Sequence, residues 1–584
     1  MWCLSSKCYA LLAVAIAAWL CLTAHAQPAR FTFRDDFFGA LANAVPRILA
    51  SQDKATGRFG RGIWICNDQE VMFLLAVAWA ADRPGNPHFH DPAVLEAIMV
   101  GGDALTADQD AKGMWEFRKK DGSTWGPIYM PWTYSRWIRA YGLIRDAMPK
   151  ERRERWDRAL LLGFDGISKT CLDRVHNIPA HHAMALYHAG QLLGRQEWCD
   201  QAKAFMAHVV AAQDPGGYWV EHMGPVVSYN FVYSDALGVY YAFSHDETVL
   251  PALERAAAFH ANFTYPDGSP VETVDERNPY HRGIRLGTVG FSLSDVGRGF
   301  LAHQWELMRA AGRNVDADTA AGLFQYAEEG PAAPTAAGRT EHTGTLGDND
   351  ALVRREAPWF VCLSAFCCPV TENRWMQDRQ NLVSIYHDRC GLIVGGGNTK
   401  LQPLWSNFTV GDVSLLSHKP GDTDPNFLPP EGLFHLPSRA ALTIGDAPGL
   451  DLAYGQEQCR ITVDPADAAR CRITLEATSG SGLPVAAHVT LLPHMGEELR
   501  TAAGLSEKLG EAAIEVKAGE VGEWVEHHGW RLHVPPDASL RWPVLPHNPY
   551  RKDGSATASE GRIVVTVPFG PEHNAKVLEL EVEK

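Results

Sequence analysis

Between residues 31 and 326 apolar side chains recur at three- and four-residue spacing, the period of a helix with one buried face. The runs fall at 37–49, 71–81, 93–99, 132–148, 155–164, 179–193, 198–212, 229–243, 248–263 and 296–311. Gly, Pro, Asp and Asn punctuate them, so the connections are short turns. Consecutive helices on short loops pack antiparallel. Ten or more of them in about 300 residues predict an α/α toroid or a helical solenoid, and no internal repeat supports a regular solenoid.

At 330–347 the pattern gives way to Ala, Pro, Gly and Thr, a linker composition. Beyond it the period becomes two. Leu382-Val-Ser-Ile-Tyr, Gly391-Leu-Ile-Val-Gly, Arg460-Ile-Thr-Val, Arg472-Ile-Thr-Leu-Glu, Ala487-His-Val-Thr-Leu-Leu, Trp530-Arg-Leu-His-Val and Arg562-Ile-Val-Val-Thr-Val alternate or are β-branched. These predict an antiparallel β-sandwich. The expected chain is therefore multidomain, α and β: a signal segment at 1–26, an α/α toroid (an incomplete helical barrel) at 27–329, a linker at 330–349 and the sandwich at 350–584.

Composition adjusts this picture in three places. The net charge of −16 argues against a nucleic-acid partner, although a local cationic cleft on an acidic body still suits an anionic substrate. The N-terminus has a basic residue at Lys7, an apolar core from 10 to 22 and a small-x-small site at Ala24-His25-Ala26. That is a secretory signal, with cleavage expected before Gln27 and a periplasmic or secreted product. No later run is long enough to span a membrane. Of 12 cysteines, three leave with the signal. The remaining odd number leaves at least one unpaired. Cys362, Cys367 and Cys368 read as disulfide or buried thiols, and Cys459 could pair with Cys471 across a hairpin.

The stretch from Asp214 to Tyr241 concentrates the candidate chemistry. A turn at Asp214-Pro-Gly-Gly217 leads through Tyr218-Trp-Val to Glu221 and His222, a Gly-Pro break follows, and a helical run then carries Tyr229 and Tyr233. Residues four apart share a helix face, so a histidine before the break and two tyrosines after it can converge on one point. Asn177, in His176-Asn177-Ile-Pro-Ala-His181-His182, suits a helix start. Glu276-Arg277-Asn278-Pro-Tyr280-His281-Arg282 is a basic loop. Trp125 and Trp132 can form a sugar platform or pack in the core. The histidines lack metalloprotease spacing and no Walker or Rossmann motif has its context, so neither metal nor cofactor is expected.

A toroid followed by a sandwich resembles the layout of polysaccharide lyases. Gly216-Gly-Tyr-Trp-Val-Glu-His222 with the following tyrosines resembles a segment of the hyaluronate and chondroitin AC lyases, and looser versions in heparinase II/III-like and alginate lyases. Gly216 and Tyr218 stand where that family has Asp and Ser, and the spacing from His222 suits neither tyrosine cleanly. The resemblance implies Tyr233 as the proton-transfer residue, with Tyr229 the alternative. Asn177 and His222 would act with it, while the loop with Arg277, Tyr280, His281 and Arg282 would bind the anionic sugar; apart from the resemblance, His181, Glu221, Trp125 and Trp132 are further candidates for binding the glycan.

The chemistry asks for these groups on its own terms. Eliminating a 4-linked uronate removes the proton next to a carboxylate, which is feasible only when donors neutralise that carboxylate. Asn, His and bidentate Arg can do so, and a tyrosine whose pKa is lowered by cations can take the proton and return it to the leaving oxygen. Two other readings stay open. A hydrolase on the same toroid would need paired carboxylates, for which Asp68, Glu70, Glu221, Asp235 and Glu272 are candidates. A non-catalytic glycan-binding protein would use the aromatic residues alone.

Overall fold

A computed structural model describes residues 29–60, 69–118, 124–416, 421–478, 480–570 and 574–583. The expected signal segment, Asp68 and Cys66 lie outside them.

The helical half carries α1 (Arg34–Ser51), α2 (Val71–Ala80), α3 (Pro92–Asp108), α4 (Pro131–Ile144), α5 (Lys150–Thr170), α6 (Asn177–Leu193), α7 (Gln196–Ala211), α8 (Val227–Ser244), α9 (Leu250–Asn262), α10 (Asp295–Ala310) and α11 (Ala317–Tyr326). Helices α2, α4, α6 and α8 pack side by side in that order, and α11 touches both α8 and α2. They line an axis, and the intervening helices pack outside them. Inner and outer positions explain the sequence pattern. Helix α2 is buried from Met72 through Trp79 and needs no polar face. Outer α10 buries Phe300, Leu301, Gln304 and Trp305 while its opposite side meets solvent. Helix α11, built on Ala and Gly, lacks the bulky stripe that marks the others.

The second half is two stacked antiparallel sheets. The larger runs in the order Ile514–Val516, Ser539–Val544, Arg562–Pro568, Val485–Leu491, Gly391–Val394, Val383–His387, Trp359–Ser364, Ala351–Glu356 and Glu341–Leu346. The smaller runs Arg439–Thr443, Gly449–Tyr454, Glu457–Pro465, Arg470–Ala477, Asn574–Val582, Trp530–His533, Trp524–His527, Glu498–Thr501 and Ser506–Lys508. Val361, Leu363, Ile385, Val565, Ile461, Ile473 and Leu578 pack between them.

The larger sheet is covered on its other face too. Along Trp359–Ser364, Trp359, Val361 and Leu363 face the smaller sheet, whereas Phe360 and Cys362 join Tyr218, Phe259, Phe263 and Tyr265 of the toroid. All six residues are buried. A strand buried on both faces reads as a continuous apolar run rather than an alternating one.

Two expectations need correction. The segment taken as a linker contains an edge strand, Glu341–Leu346, and its Gly330–Pro331 pairs with Arg30–Phe31. Its small residues lie close against neighbours instead of connecting loosely. Cys459 and Cys471 do not face each other: they pair with Ala477 and Pro465 on adjacent strands. Both are free thiols, as are Cys362, Cys367 and Cys368.

Polar contacts fasten the seam between the halves. Glu272 of the toroid accepts from the Gly396 N–H at 2.9 Å and from the Tyr265 hydroxyl at 2.9 Å. Arg562 donates to the Gly396 carbonyl at 2.6 Å. Gly396 has φ +111°, and a Cβ there would lie 2.0 Å from Arg562 Nε, so only glycine fits. The Gly395–Gly397 run is thus a point of close approach between domains.

Candidate active site

The stretch 214–241 forms the mouth of the toroid. Asp214 closes its turn by accepting from the Gly216 N–H at 2.7 Å. Val220–Glu221 and Gly224–Pro225 then pair as a minimal hairpin. His222 occupies its tight turn at φ +48°, the left-handed geometry that two-residue hairpin turns require. Neighbouring strand residues point to opposite sides. Glu221 is therefore fully buried while His222 is exposed.

Buried Glu221 organises what lies beneath. Its Oε1 accepts from the Asn177 side chain at 3.0 Å, the Asn177 N–H at 3.3 Å and the Tyr233 hydroxyl at 2.9 Å. Its Oε2 lies 2.6 Å from His176 Nε2. Burial alone would raise its pKa, but His176, Asn177 and Tyr233 hold it below the ordinary value. Tyr233 is fully buried and stacks on Trp219 at 4.9 Å. Burial and then Glu221 push its pKa far above that of an ordinary phenol.

These positions bear on three assignments. Tyr233 is fully buried and its hydroxyl is engaged on the Glu221 carboxylate. Asn177 spends its amide on the same carboxylate. Glu221 faces inward and is fully buried.

One turn nearer the start of α8, Tyr229 is only half-buried. The Arg277 guanidinium carbon sits 5.2 Å from its ring centroid. The same carbon lies 5.0 Å from the Trp375 ring and 5.5 Å from the Tyr550 ring, both from the β half. Arg277 Nε is buried without a hydrogen-bond partner. Burial raises the Tyr229 pKa to about 12, and Arg277 opposes that rise. His222 titrates below its ordinary value through partial desolvation and then the charge of Arg277. Arg277 thus sits over the Tyr229 ring and acts electrostatically on both Tyr229 and His222.

Asp275 explains why Arg277 lies there. One of its oxygens accepts from the Arg277 and Asn278 N–H groups at 2.8 and 2.7 Å, and the other from Val227 N–H at 2.7 Å. One carboxylate therefore caps α8 from outside and folds the loop that presents Arg277 beside it. Behind the hairpin, Glu276 accepts from the Met223 N–H at 3.0 Å. Arg379, buried from the β half, donates to the Val274 carbonyl at 3.1 Å. Trp375, Tyr550, Arg379, His176, Asp275 and Glu276 were not among the sequence candidates. Only His176 and Glu276, each inside a quoted motif, carried any signal.

Other candidates lie elsewhere. Tyr280 and His281 line a seam cavity of about 240 Å³ together with Arg277, Asn398, His547 and Tyr550. The Tyr280 hydroxyl lies 3.3 Å from Asp267 and 3.4 Å from Ser269. Arg282 is exposed on the outer rim. Trp125 is 60% exposed and stacks on Phe117 at 4.9 Å, a platform set on the hairpin Trp115–Arg118 and Thr124–Ile128.

His181 and Trp132 belong to a second polar group, strung along the toroid axis. Their rings meet edge-on at 4.6 Å, and His181 Nε2 lies 3.5 Å from Asp235. Arg136 donates to Asp318 through Nε at 2.9 Å and lies 3.7 Å from Glu70. All five inner helices or their caps contribute. Burial lowers the pKa of His181 and raises that of Glu70. Of the carboxylates a hydrolase would use, Glu221 and Glu272 are buried and hydrogen-bonded, and Glu70 is ion-paired.

No protein-family model matches the chain, and no curated protein matches it by sequence. Solved structures do. The chain is similar to heparinase III, with TM-score 0.52 and 11% identity over 88% of this chain and 75% of that one. A chondroitin AC lyase of Streptomyces coelicolor A3 gives TM-score 0.49 and 14% identity over 96% and 80%. A heparan sulfate lyase of Pedobacter heparinus gives 0.46 and 11% over 93% and 82%. The fold is that of the toroid-plus-sandwich polysaccharide lyases.

Proposed function

We propose that the protein is a polysaccharide lyase that cleaves a uronate-containing glycan by β-elimination, with Tyr229 as the proton-transfer residue. The observation that carries this reading is the Arg277 guanidinium, buried at Nε without a partner and held within 5.2 Å of the Tyr229 ring. A planar anion satisfies such a group, and a carboxylate does so in bidentate fashion.

In this reading the uronate carboxylate sits on Arg277, and His222 donates a second hydrogen bond. The charge on C5 as its proton leaves is delocalised into that carboxylate, where Arg277 stabilises it. Tyr229, as phenolate, takes the C5 proton. The C4–O4 bond breaks, a C4–C5 double bond forms, and the proton passes to the departing O4. Burial disfavours the phenolate and Arg277 favours it, so the guanidinium serves both the substrate and the base. Trp375 and Tyr550 hold Arg277 in place and offer ring faces to the sugar. The exposed Trp125 extends the platform. Asn177, Tyr233, His176 and Glu221 fix the floor beneath His222.

The substrate in this reading is an anionic polysaccharide, an unsulfated uronan. The expected N-terminal signal would deliver the enzyme to the periplasm or outside the cell. No helix among the described residues is long and apolar enough to cross a membrane. Incubation with alginate, glucuronan, hyaluronan and heparan sulfate tests the reading. A rise in ultraviolet absorbance from the unsaturated product is expected with at least one. New reducing ends without that absorbance would make the protein a hydrolase, and binding without cleavage a lectin-like protein.

A further inference from the structure

We propose that His494, Glu497 and His528 form a binding site for a divalent transition cation, zinc above all, at the crossover between the two sheets of the sandwich. The inference is independent of the reaction proposed above. One potential ligand atom from each residue lies within 4.8 Å of the other two. His528 Nδ1 is 2.6 Å from Glu497 Oε2, and the rings of His494 and His528 lie nearly parallel at 3.3 Å between centroids. Two imidazoles and one carboxylate are a zinc donor set that leaves a fourth position for water. Magnesium and calcium prefer all-oxygen sites.

The backbone holds these residues in place. His494 follows strand Val485–Leu491 of the larger sheet, and Glu497 precedes Glu498–Thr501 of the smaller. The turn between them is closed by the Glu497 N–H donating to the His494 carbonyl at 3.2 Å. His528 sits in the tight turn between Trp524–His527 and Trp530–His533 at φ +45°, a backbone conformation that a non-glycine residue adopts at a cost. His527 joins the two segments: its Nδ1 donates to the Glu498 carbonyl at 2.8 Å, and its Nε2 accepts the His494 N–H at 2.9 Å. Both His527 nitrogens are thereby engaged, and it acts as a positioning residue. A cation here would tie the crossover loop to the neighbouring hairpin. Among nearby charges, Arg282 opposes cation binding and Glu497 favours it.

The test uses the full chain, stripped with a chelator and re-equilibrated with zinc or cobalt(II). One equivalent of tightly held zinc per chain is expected, with a higher Tm than the stripped protein. The cobalt form should show visible d–d bands of a four- or five-coordinate site. Glu497→Gln should weaken zinc binding about tenfold or more, and the double variant His494→Gln/His528→Gln should abolish the cobalt bands. Native far-ultraviolet circular dichroism of the stripped variants separates lost binding from lost folding. If the wild type takes up no zinc, or the double variant keeps its equivalent and its cobalt spectrum, the site does not exist.

Discussion

The mouth of the toroid and its axis are built from the same side chains and do different things. Along the axis Arg136 faces Asp318 and Glu70, and His181 faces Asp235. At the mouth Arg277 is held by three aromatic rings, its Nε has no partner, and no carboxylate pairs with it among the described residues. A cation with its counter-charge in place is a structural element, whereas one kept half-desolvated without an anion is prepared to receive one. The difference teaches that residue type alone does not mark a site. Pairing and exposure do.

The largest effect tests the division within α8 itself. Tyr229→Phe should reduce lyase turnover by about three orders of magnitude, the scale of general acid–base catalysis, with little change in stability. Tyr233→Phe should behave oppositely. It leaves Glu221 one donor short, costing about 1–2 kcal/mol of stability, and retains turnover within about tenfold of wild type. Initial rates by product absorbance and urea denaturation separate the two. If Tyr233→Phe is the dead enzyme, the assignment of roles on this helix is reversed.

Next in size is the cation itself. Arg277→Met keeps an aliphatic stem among the rings and removes the charge. It should lower kcat/KM about 100-fold and shift the ascending limb of the pH–rate profile upward, because Tyr229 loses the charge that favours its phenolate. Lost binding alone would raise KM and leave that limb where it was.

The toroid and the sandwich were legible in the sequence, because helical and strand periods are local and survive in one dimension. What the sequence left open was which way each residue of 214–241 faces. A two-residue turn at His222 sends Glu221 inward and His222 outward, and nothing in the spacing to Tyr229 and Tyr233 reveals it. Trp375 and Tyr550 come from the other domain, more than 90 residues beyond Arg277, and meet it only once the seam forms. His494, Glu497 and His528 likewise meet through turns of two different sheets, so no metal-ligand spacing appears. The edge strand at Glu341–Leu346 was hidden by small polar residues, since only Leu346 of its six is fully buried.

On the axis the expectation is a change in stability without a change in chemistry. Asp318→Asn removes the main counter-charge of Arg136. Buried-pair disruption costs about 3–5 kcal/mol, and because Asp318 is 38% exposed a smaller loss of about 2 kcal/mol is expected here. Turnover per folded molecule should stay within about twofold. A large loss of kcat with normal denaturation would instead place the axial group in the catalytic machinery and erase the contrast with the mouth.

The smallest effect concerns protons, and it separates histidines carried by one helix. His176, at the start of α6, faces the Glu221 carboxylate, whereas His182, six residues on, is buried and its pKa is pushed down to about 3 by burial and then by His181. A histidine depressed below its unfolded value of about 6.5 binds no proton in the folded state while the unfolded state does. Its contribution is therefore fully present above pH 6.5 and is lost as the pH falls from there toward 3. The slope approaches about 1.4 kcal/mol per pH unit for each such group. Glu221, held below its ordinary value, adds a loss of the same sign only at lower pH, as it protonates. Denaturation at pH 7 and pH 5.5 should show the wild type weakening, and His182→Gln should weaken less, by up to about 1.4 kcal/mol per pH unit. His222→Gln should flatten the dependence less than His182→Gln does, since desolvation is complete at His182 and only partial at His222. Equal slopes for His182→Gln and wild type would mean that the buried ring titrates normally, and the distinction between a sealed axis and an open mouth would have to rest on Arg136 and Arg277 alone.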